Sequence, residues 1–410
     1  MYSVPPNFLV SKYFEFLFAI WMFSLCIFTL LGNAASDIWL TGTVVIFLAV
    51  CLAERNWGWM RMRWVQIAAV FWVWILIASL LSQWPQNVLK DPLVWIRFPL
   101  FAVALPFLLN RYPDARKILL VSLLAGLTIL FAVLISEKIK NPDAQRLYGT
   151  WGRDLNPKSG WLVVGFGLPV ALWALSKFYS QPKAMIWAIP LIALITSAAV
   201  LTGEIYVTLS LILGIALFLL TCRMNVKLFA SVVAAVSAMA GFVLWMFPVL
   251  SNRFELALTA RLPWLSSSDY YMPWMSGIET AKLNPLIGVG PRGFGSYCNQ
   301  SPELQVLFDA GCYHHPHQLY IQIAAETGLI GLGLFLLLFV TLLAHILQAR
   351  NWRALPSNVT AALCLVITAL WPISTYSNAF GQHKNFFTWL IIAFALALAS
   401  PNNKERQNQG

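Results

Sequence analysis

"LLVSLLAGLTILFAVLIS", residues 119–136, runs for eighteen residues without a charge. A hydrocarbon core of about 30 Å takes about 20 apolar residues in a helix, so this run is long enough to read as a membrane span. It gives way at once to "EKIKNPDAQRLYGTWGRDLNPKS", residues 137–159, which is densely charged. Similar apolar runs start near Tyr13, Ile38, Trp64, Pro92, Leu119, Gly160, Ala184, Glu204, Val226, Gln318, Asn358 and Asn385. The expected fold is therefore all-α and polytopic, with about twelve transmembrane helices. Composition agrees: the 410 residues are 59% hydrophobic and 10% charged, where soluble domains carry roughly 25% charged residues. The first apolar run is a full span without a small-residue cleavage site, so no cleaved signal peptide is expected.

Charge sets the sidedness. With a cytoplasmic N terminus, the inside loops are "ERNWGWMRMR", "NRYPDARK", "KFYSQPK", "CRMNVK" and "QARNWRA", all basic, whereas the short outside loops hold Lys90 or Lys384 at most. This is the positive-inside pattern. It places both termini in the cytoplasm of a plasma (inner) membrane protein, with "NNKERQNQG" as a disordered tail. The net charge of +11 is then mostly a topological signal, pointing to membrane lipids and not to nucleic acid.

Two outside loops are long, and function concentrates in such loops. The expected organisation is spans 1–9 over residues 1–248 with a functional loop near 136–159, a large outside loop at 249–317 containing short helices, spans 10–12 over 318–400, and a tail at 401–410. The first loop holds Lys138, Lys140, Arg146, Arg153 and Lys158 against Glu137, Asp143 and Asp154. Arg146 and Arg153 frame "LYGTWG" and suit a phosphate or diphosphate, since guanidinium groups bind such anions bidentately. Headgroup contact and local ion pairs are the plainer reading, favoured for Lys138 and Lys140. In the second loop, "YYMPWMSGIETAK" is amphipathic enough to lie in the interface, with Tyr270, Tyr271 and Trp274 at headgroup depth. "NPLIGVGPRGFG" is a glycine-rich turn with one charge, Arg292, either a ligand for diphosphate or sugar or a solvated turn residue. Cys26, Cys51, Cys222 and Cys364 lie in or beside spans, while Cys298 and Cys312 share the second loop. An oxidising compartment permits a disulfide there, closing a loop of about 15 residues worth about 3 kcal/mol.

That loop ends in "CYHHPHQ", which has three of the chain's five histidines. A metal site is disfavoured, because His314, His315 and His317 do not easily face one ion and no Cys, Asp or Glu stands at a ligand spacing. Ring N–H groups bonded to loop carbonyls are the structural reading for His314 and His315. His317 follows Pro316 at the start of the helical pattern "QLYIQIAAETGLIG". A helix N terminus disfavours the imidazolium, leaving a neutral base suited to taking a proton from a hydroxyl. Glu326 falls off that face and reads as structural.

"NPLIGVGPRGF" (284–294) followed by "HHPHQLYIQIAAETGLIGLGLF" (314–335) resembles the signature of the O-antigen ligase and polymerase family, in which a "hPl.GvG...f" segment precedes "H.HN.yl....EtG..G". A large loop between the ninth and tenth of twelve spans fits as well. The resemblance implies a GT-C-like membrane glycosyltransferase with a periplasmic active site that uses no cofactor, metal or nucleotide sugar. It implies a donor glycan on undecaprenyl diphosphate and, for a ligase, a sugar hydroxyl of the lipid A-core as acceptor. His317 matches the essential histidine, and Arg146, Arg153 and Arg292 are the nearest equivalents of the diphosphate-holding arginines. Three positions depart from the pattern: Glu204 in "TGEIY" stands where an Arg is usual after the seventh span, "SDYYMP" lacks the Arg before Trp274, and Gln318 replaces Asn. Arg261 joins the expected diphosphate set for that reason, and Lys158, His315, Tyr270 and Trp274 complete the expected substrate-binding residues, with His317 and Arg292 catalytic.

The expected reaction is an inverting, in-line displacement by a protein able to act as a monomer. A polymerase adding a repeat unit and a protein O-oligosaccharyltransferase differ only in acceptor. A transporter of polyprenyl lipid or polysaccharide is the alternative from another class. It would carry charges along its spans and inverted repeats, whereas Arg97 and Glu15 sit near span ends and no repeat is found.

Overall fold

The structure is a computed structural model that describes residues 12–400 except 84–88, 152–157, 180, 223, 308–312, 349–353, 374 and 377. The chain runs through α1 (Lys12–Phe23), α2 (Leu25–Leu31), α3 (Asn33–Glu54), α4 (Arg63–Leu80), α5 (Lys90–Trp95), α6 (Arg97–Arg111), α7 (Pro113–Lys140), α8 (Ser159–Phe178), α9 (Pro182–Leu201), α10 (Ile205–Thr221) and α11 (Val226–Met246). Four short helices follow: α12 (Pro248–Thr259), α13 (Tyr271–Leu283), α14 (Phe294–Gln300) and α15 (Pro302–Leu307). Then come α16 (Leu319–Leu347), α17 (Ser357–Ala369) and α18 (Gln382–Ala399). No strand occurs among the described residues; one isolated antiparallel bridge joins Gln318 and Thr375.

Among the described residues, nine stretches are long and apolar enough to cross a membrane, where about twelve were expected: α1 with α2, α3, α4, α5 with α6, α7, α8, most of α9, α11 and α16. The other three expected spans exist as helices that fall short. α10 is cut at its start by the turn at Gly203, and α17 stops before Trp371 and Pro372. α18 opens with the polar residues Gln382, His383 and Lys384.

The connections that precede even-numbered spans meet at one end of the bundle. Trp151 Nε1 donates to the Thr29 carbonyl at 2.6 Å, the Ser82 hydroxyl to the Val289 carbonyl at 2.9 Å, and the Leu147 amide to the Thr202 carbonyl at 3.1 Å. Arg253 reaches the Gly203 carbonyl, and the Tyr376 amide reaches the His317 carbonyl. These contacts are what an antiparallel, up-and-down chain path of twelve elements requires. α8 and α18 lie innermost, with Phe386–Ala397 buried throughout.

The two halves of the sequence signature are one structural unit. α16 breaks at Gly328, where φ is +69° and ψ −178°. The break frees carbonyls at membrane depth, where an unpaired one is costly. The 284–290 turn supplies the partners: Val289 N–H donates to the Ala325 carbonyl at 3.0 Å and Gly290 N–H to the Glu326 carbonyl at 2.9 Å. In return, Leu329 N–H donates to the Pro285 carbonyl at 2.8 Å. A Cβ on Gly328 would collide with the Leu286 carbonyl, so both the backbone angle and the packing require glycine there.

Gly328→Ala is expected to cost about 1–3 kcal/mol through this strain, read as a lower unfolding midpoint by tryptophan fluorescence in detergent. Gly333→Ala is the control: it meets open space on the same helix and should be neutral or up to about 1 kcal/mol stabilising. Equal midpoints for the two variants would contradict the docking just described.

Candidate functional site

His317 lies one residue before the cap of α16 and adopts a left-handed backbone, φ +59°. Its neighbours hold it there. Its carbonyl accepts the Tyr376 N–H at 2.9 Å, and Gln318 caps the helix by accepting the Ile321 N–H at 2.5 Å. The other end of the Gln318 amide donates to the Pro372 carbonyl at 3.0 Å. Around the imidazole stand His315 with ring centres 4.2 Å apart, Tyr270 at 5.9 Å and Tyr313 at 6.3 Å.

Burial lowers the His317 pKa to about 4, and the ammonium of Lys384 adds to the shift. His315 is lowered to about 3, again by burial first and then by the neighbouring histidines and Lys384. The neutral base expected at residue 317 is therefore present, but desolvation and a lysine produce it, not the helix terminus. His315 Nε2 is buried with no hydrogen-bond partner, so that atom does not make the loop-carbonyl bond of the structural reading. His314 is exposed.

Beyond Tyr270 lies a rim of cations. Arg146 and Glu204 form an ion pair, with Nε at 3.0 Å from the carboxylate. Arg253 Nε donates to the Gly203 carbonyl at 2.9 Å and Nη1 to Gln145 at 3.4 Å. Arg261 pairs with Asp269 at 3.6 Å, and its carbonyl accepts the Tyr206 hydroxyl at 3.2 Å. Tyr206 stands edge-on to Tyr270 at 5.2 Å. Burial lowers the Arg253 pKa, and the like charges of Arg146 and Arg261 act in the same direction. Arg146 and Arg261 are thus each close enough to repel Arg253.

The first loop is tied down locally. Glu137 accepts the N–H groups of Tyr148 at 2.8 Å and Gly149 at 2.9 Å, and Lys138 Nζ donates to the Ala144 carbonyl at 2.8 Å. Lys138 is 1% exposed and therefore not a headgroup contact. Gly203 has φ +69°, and a Cβ there would run into the Gln145 carbonyl beside Arg146. That close approach is what brings the first loop to the α9–α10 turn.

Other expected residues lie elsewhere. Arg292 pairs with Asp91 at 2.6 Å and belongs to the turn over Glu326. Glu326 is fully buried, with the amides of Arg292 and Phe294 and the side chain of Gln322 turned toward its carboxylate, a structural role as read from the sequence. Tyr270 turns inward onto His317, and Trp274 Nε1 is buried without a partner. Lys158 acts on His383 through its charge. Arg153 lies outside the described residues, and so does Cys312; Cys298 is buried, while Cys26, Cys51, Cys222 and Cys364 are free thiols.

Two site residues escaped the sequence reading. Arg253 stands in the first turns of the second loop and gave no signal beyond its charge. Lys384, read as an outside-loop cation, is 2% exposed inside the bundle. Its ammonium lies 3.8 Å from the Trp161 ring centre and 4.3 Å from that of Tyr376.

Residues 199–336 match the family described as O-antigen ligase. The matched segment spans Glu204, Arg253, Arg261, Tyr270, Arg292 and His317, and leaves Arg146 and Lys384 outside. The chain is also similar to the exopolysaccharide production protein ExoQ of Rhizobium meliloti (strain 1021), 40% identical over 73 residues. That match covers 17% of this chain and 16% of the relative, so it spans about a sixth of the relative's length.

The depressed pKa has a direct consequence. His317 should remain unprotonated down to about pH 4 and take up its proton only below that, where an unperturbed imidazole is half-charged near pH 6.5. The ring-carbon NMR shift of labelled histidine, assigned by His317→Gln, measures this. A midpoint near 6.5 would contradict the buried setting.

Proposed function

We propose that the protein transfers a glycan from undecaprenyl diphosphate to a sugar hydroxyl of the lipid A-core, as an O-antigen ligase. One observation carries the reading: an uncharged, half-buried His317 stands within the family-matched segment and adjoins a rim of three arginines through Tyr270. His317 takes the acceptor's hydroxyl proton while that oxygen attacks the anomeric carbon. The bond from that carbon to the phosphate oxygen breaks on the opposite face, so configuration inverts. Arg146, Arg253 and Arg261 neutralise the charge gathering on the departing lipid diphosphate, a role in which fixed cations in a dehydrated site are effective. No cofactor takes part in this scheme.

A base with a pKa of about 4 is weak, and part of the weakness comes from the positive field of Lys384. A bound diphosphate opposes that field and strengthens the base. Deprotonation of the acceptor is thereby tied to the presence of donor. Glu204 pairs with Arg146, and the donor must compete with that carboxylate.

The proposed setting is the inner membrane, with both termini cytoplasmic and the site facing the periplasm. The basic residues of the opposite connections, Arg55, Arg61, Arg63, Arg111, Lys177 and Lys183 among them, support this orientation. A Cys298–Cys312 disulfide belongs to the same proposal; a linked peptide in a non-reducing digest tests it.

His317→Ala is expected to lower transfer by about 10²–10⁴-fold, the usual contribution of a general base, while leaving binding of the polyprenyl diphosphate donor intact. Transfer at the wild-type rate in this variant would refute the proposed base. A second reading makes the acceptor another repeat unit, and the likeness to an exopolysaccharide production protein favours it. Surface polysaccharide from a deletion strain separates the two: a bare core with lipid-linked chains indicates ligase loss, and a single-repeat cap indicates polymerase loss.

A further inference from the structure

Lys384 is the most anomalous side chain in the molecule. It is 2% exposed, and its Nζ has no hydrogen-bond partner. None of the ion pairs among the described residues includes it; Glu204 acts on it only at longer range. An ammonium taken out of water loses hydration that two ring faces return only in part. A neutral amine in the same place would still leave its N–H donors unused. Natural sequences readily replace such a residue with methionine or leucine unless something else requires it.

The position supplies the requirement. Trp161 and Tyr376 hold the ammonium between their faces, and the Tyr376 backbone bonds that of His317. The charge of Lys384 reaches His315, His317 and His383. Two of these carry further unpartnered buried nitrogens, His315 Nε2 and His383 Nδ1. Glu204 connects this interior group to the rim: its carboxylate holds Arg146, while its side chain packs on Gly160, next to Trp161. An unpaired cation that acts on His317 and an unpartnered nitrogen of the adjoining His315 therefore add to the arginines reached through Tyr270.

We propose that Lys384 is an inner anion subsite that takes a phosphate oxygen of the donor's lipid diphosphate, with the arginine rim holding the remainder. This rests on the donor reading given above and adds a residue outside the family-matched segment. Lys384 contributes a hydrogen bond and a charge to a bound anion; it takes no proton from the acceptor.

The test uses the full-length protein in phosphatidylcholine nanodiscs, with bare undecaprenyl diphosphate and, separately, phosphatidylglycerol as probes in native mass spectrometry. Loss of one charged hydrogen bond predicts about ten- to a hundredfold weaker binding of undecaprenyl diphosphate by Lys384→Met. Binding of phosphatidylglycerol should be unchanged. Without ligand, Lys384→Met should unfold at the same or a higher temperature than wild type, and Lys384→Arg should recover part of the binding. If wild type binds the lipid diphosphate and Lys384→Met binds it equally, the subsite is wrong and the donor reading stands. If wild type does not bind it, both fall. An equal loss for phosphatidylglycerol makes the site a general headgroup contact and overturns the proposal. So does a lower unfolding temperature with no rescue by arginine, the mark of a structural lysine.

Discussion

Tyr376 donates its amide N–H to the carbonyl of His317 at 2.9 Å, and beside it Gln318 bridges Thr375. This short backbone pairing is the constraint on which the site depends. A left-handed histidine is uncommon and persists where its surroundings over-determine it. Here they do: the helix cap at Gln318, the Gln318 contact to Pro372 and the buried Pro316 each fix a neighbouring residue. The pairing also joins the end of the 248–318 segment to the connection between α17 and α18. That is how a residue of one loop comes to sit beside Lys384 of a distant helix.

Once His317 is fixed, electrostatics decides its chemical state. The site gathers Arg146, Arg253, Arg261 and Lys384, and among the described residues Glu204 and Asp269 oppose them. Cations gathered away from water raise one another's cost, and the histidines respond by staying neutral. A neutral imidazole is what a proton acceptor needs at rest. The weakness of that base and the surplus of positive charge have the same origin, and an anion entering the site relieves both.

The membrane character and the chain path were legible because long uncharged runs have few other physical meanings. Their number was less so. The α9–α10 boundary rests on Gly203, and α18 opens with polar residues that only packing against Trp161 and Tyr376 makes tolerable. His317 was legible through its motif and its place before a helix. The cause of its depressed pKa was not, since desolvation and Lys384 act through space. Arg292 was legible as a charge in a glycine turn, but not its ion pair, since Asp91 lies about two hundred residues away in sequence. Lys384 was hidden for a related reason: one cation at a span boundary ordinarily snorkels to water, and nothing local says that this one turns inward.

Glu204 remains the position where the chain departs from the signature it resembles in a way that chemistry can explain. An acid where an arginine is usual would spoil a diphosphate site if it stood alone. It does not: Arg146 pairs with it, and Arg253 bonds the carbonyl of the preceding Gly203. The guanidinium that a helix terminus would have supplied is brought in from the first loop and from α12. Pairing keeps these cations ordered and lowers the cost of holding them together. The same pairing weakens the hold on an anion, because a phosphate must displace a carboxylate before it gains a guanidinium. An ammonium with no carboxylate at contact distance has no such competitor. In a site where the rim is already partly neutralised, an unpaired Lys384 is where the remaining attraction for a doubly anionic diphosphate diester is concentrated.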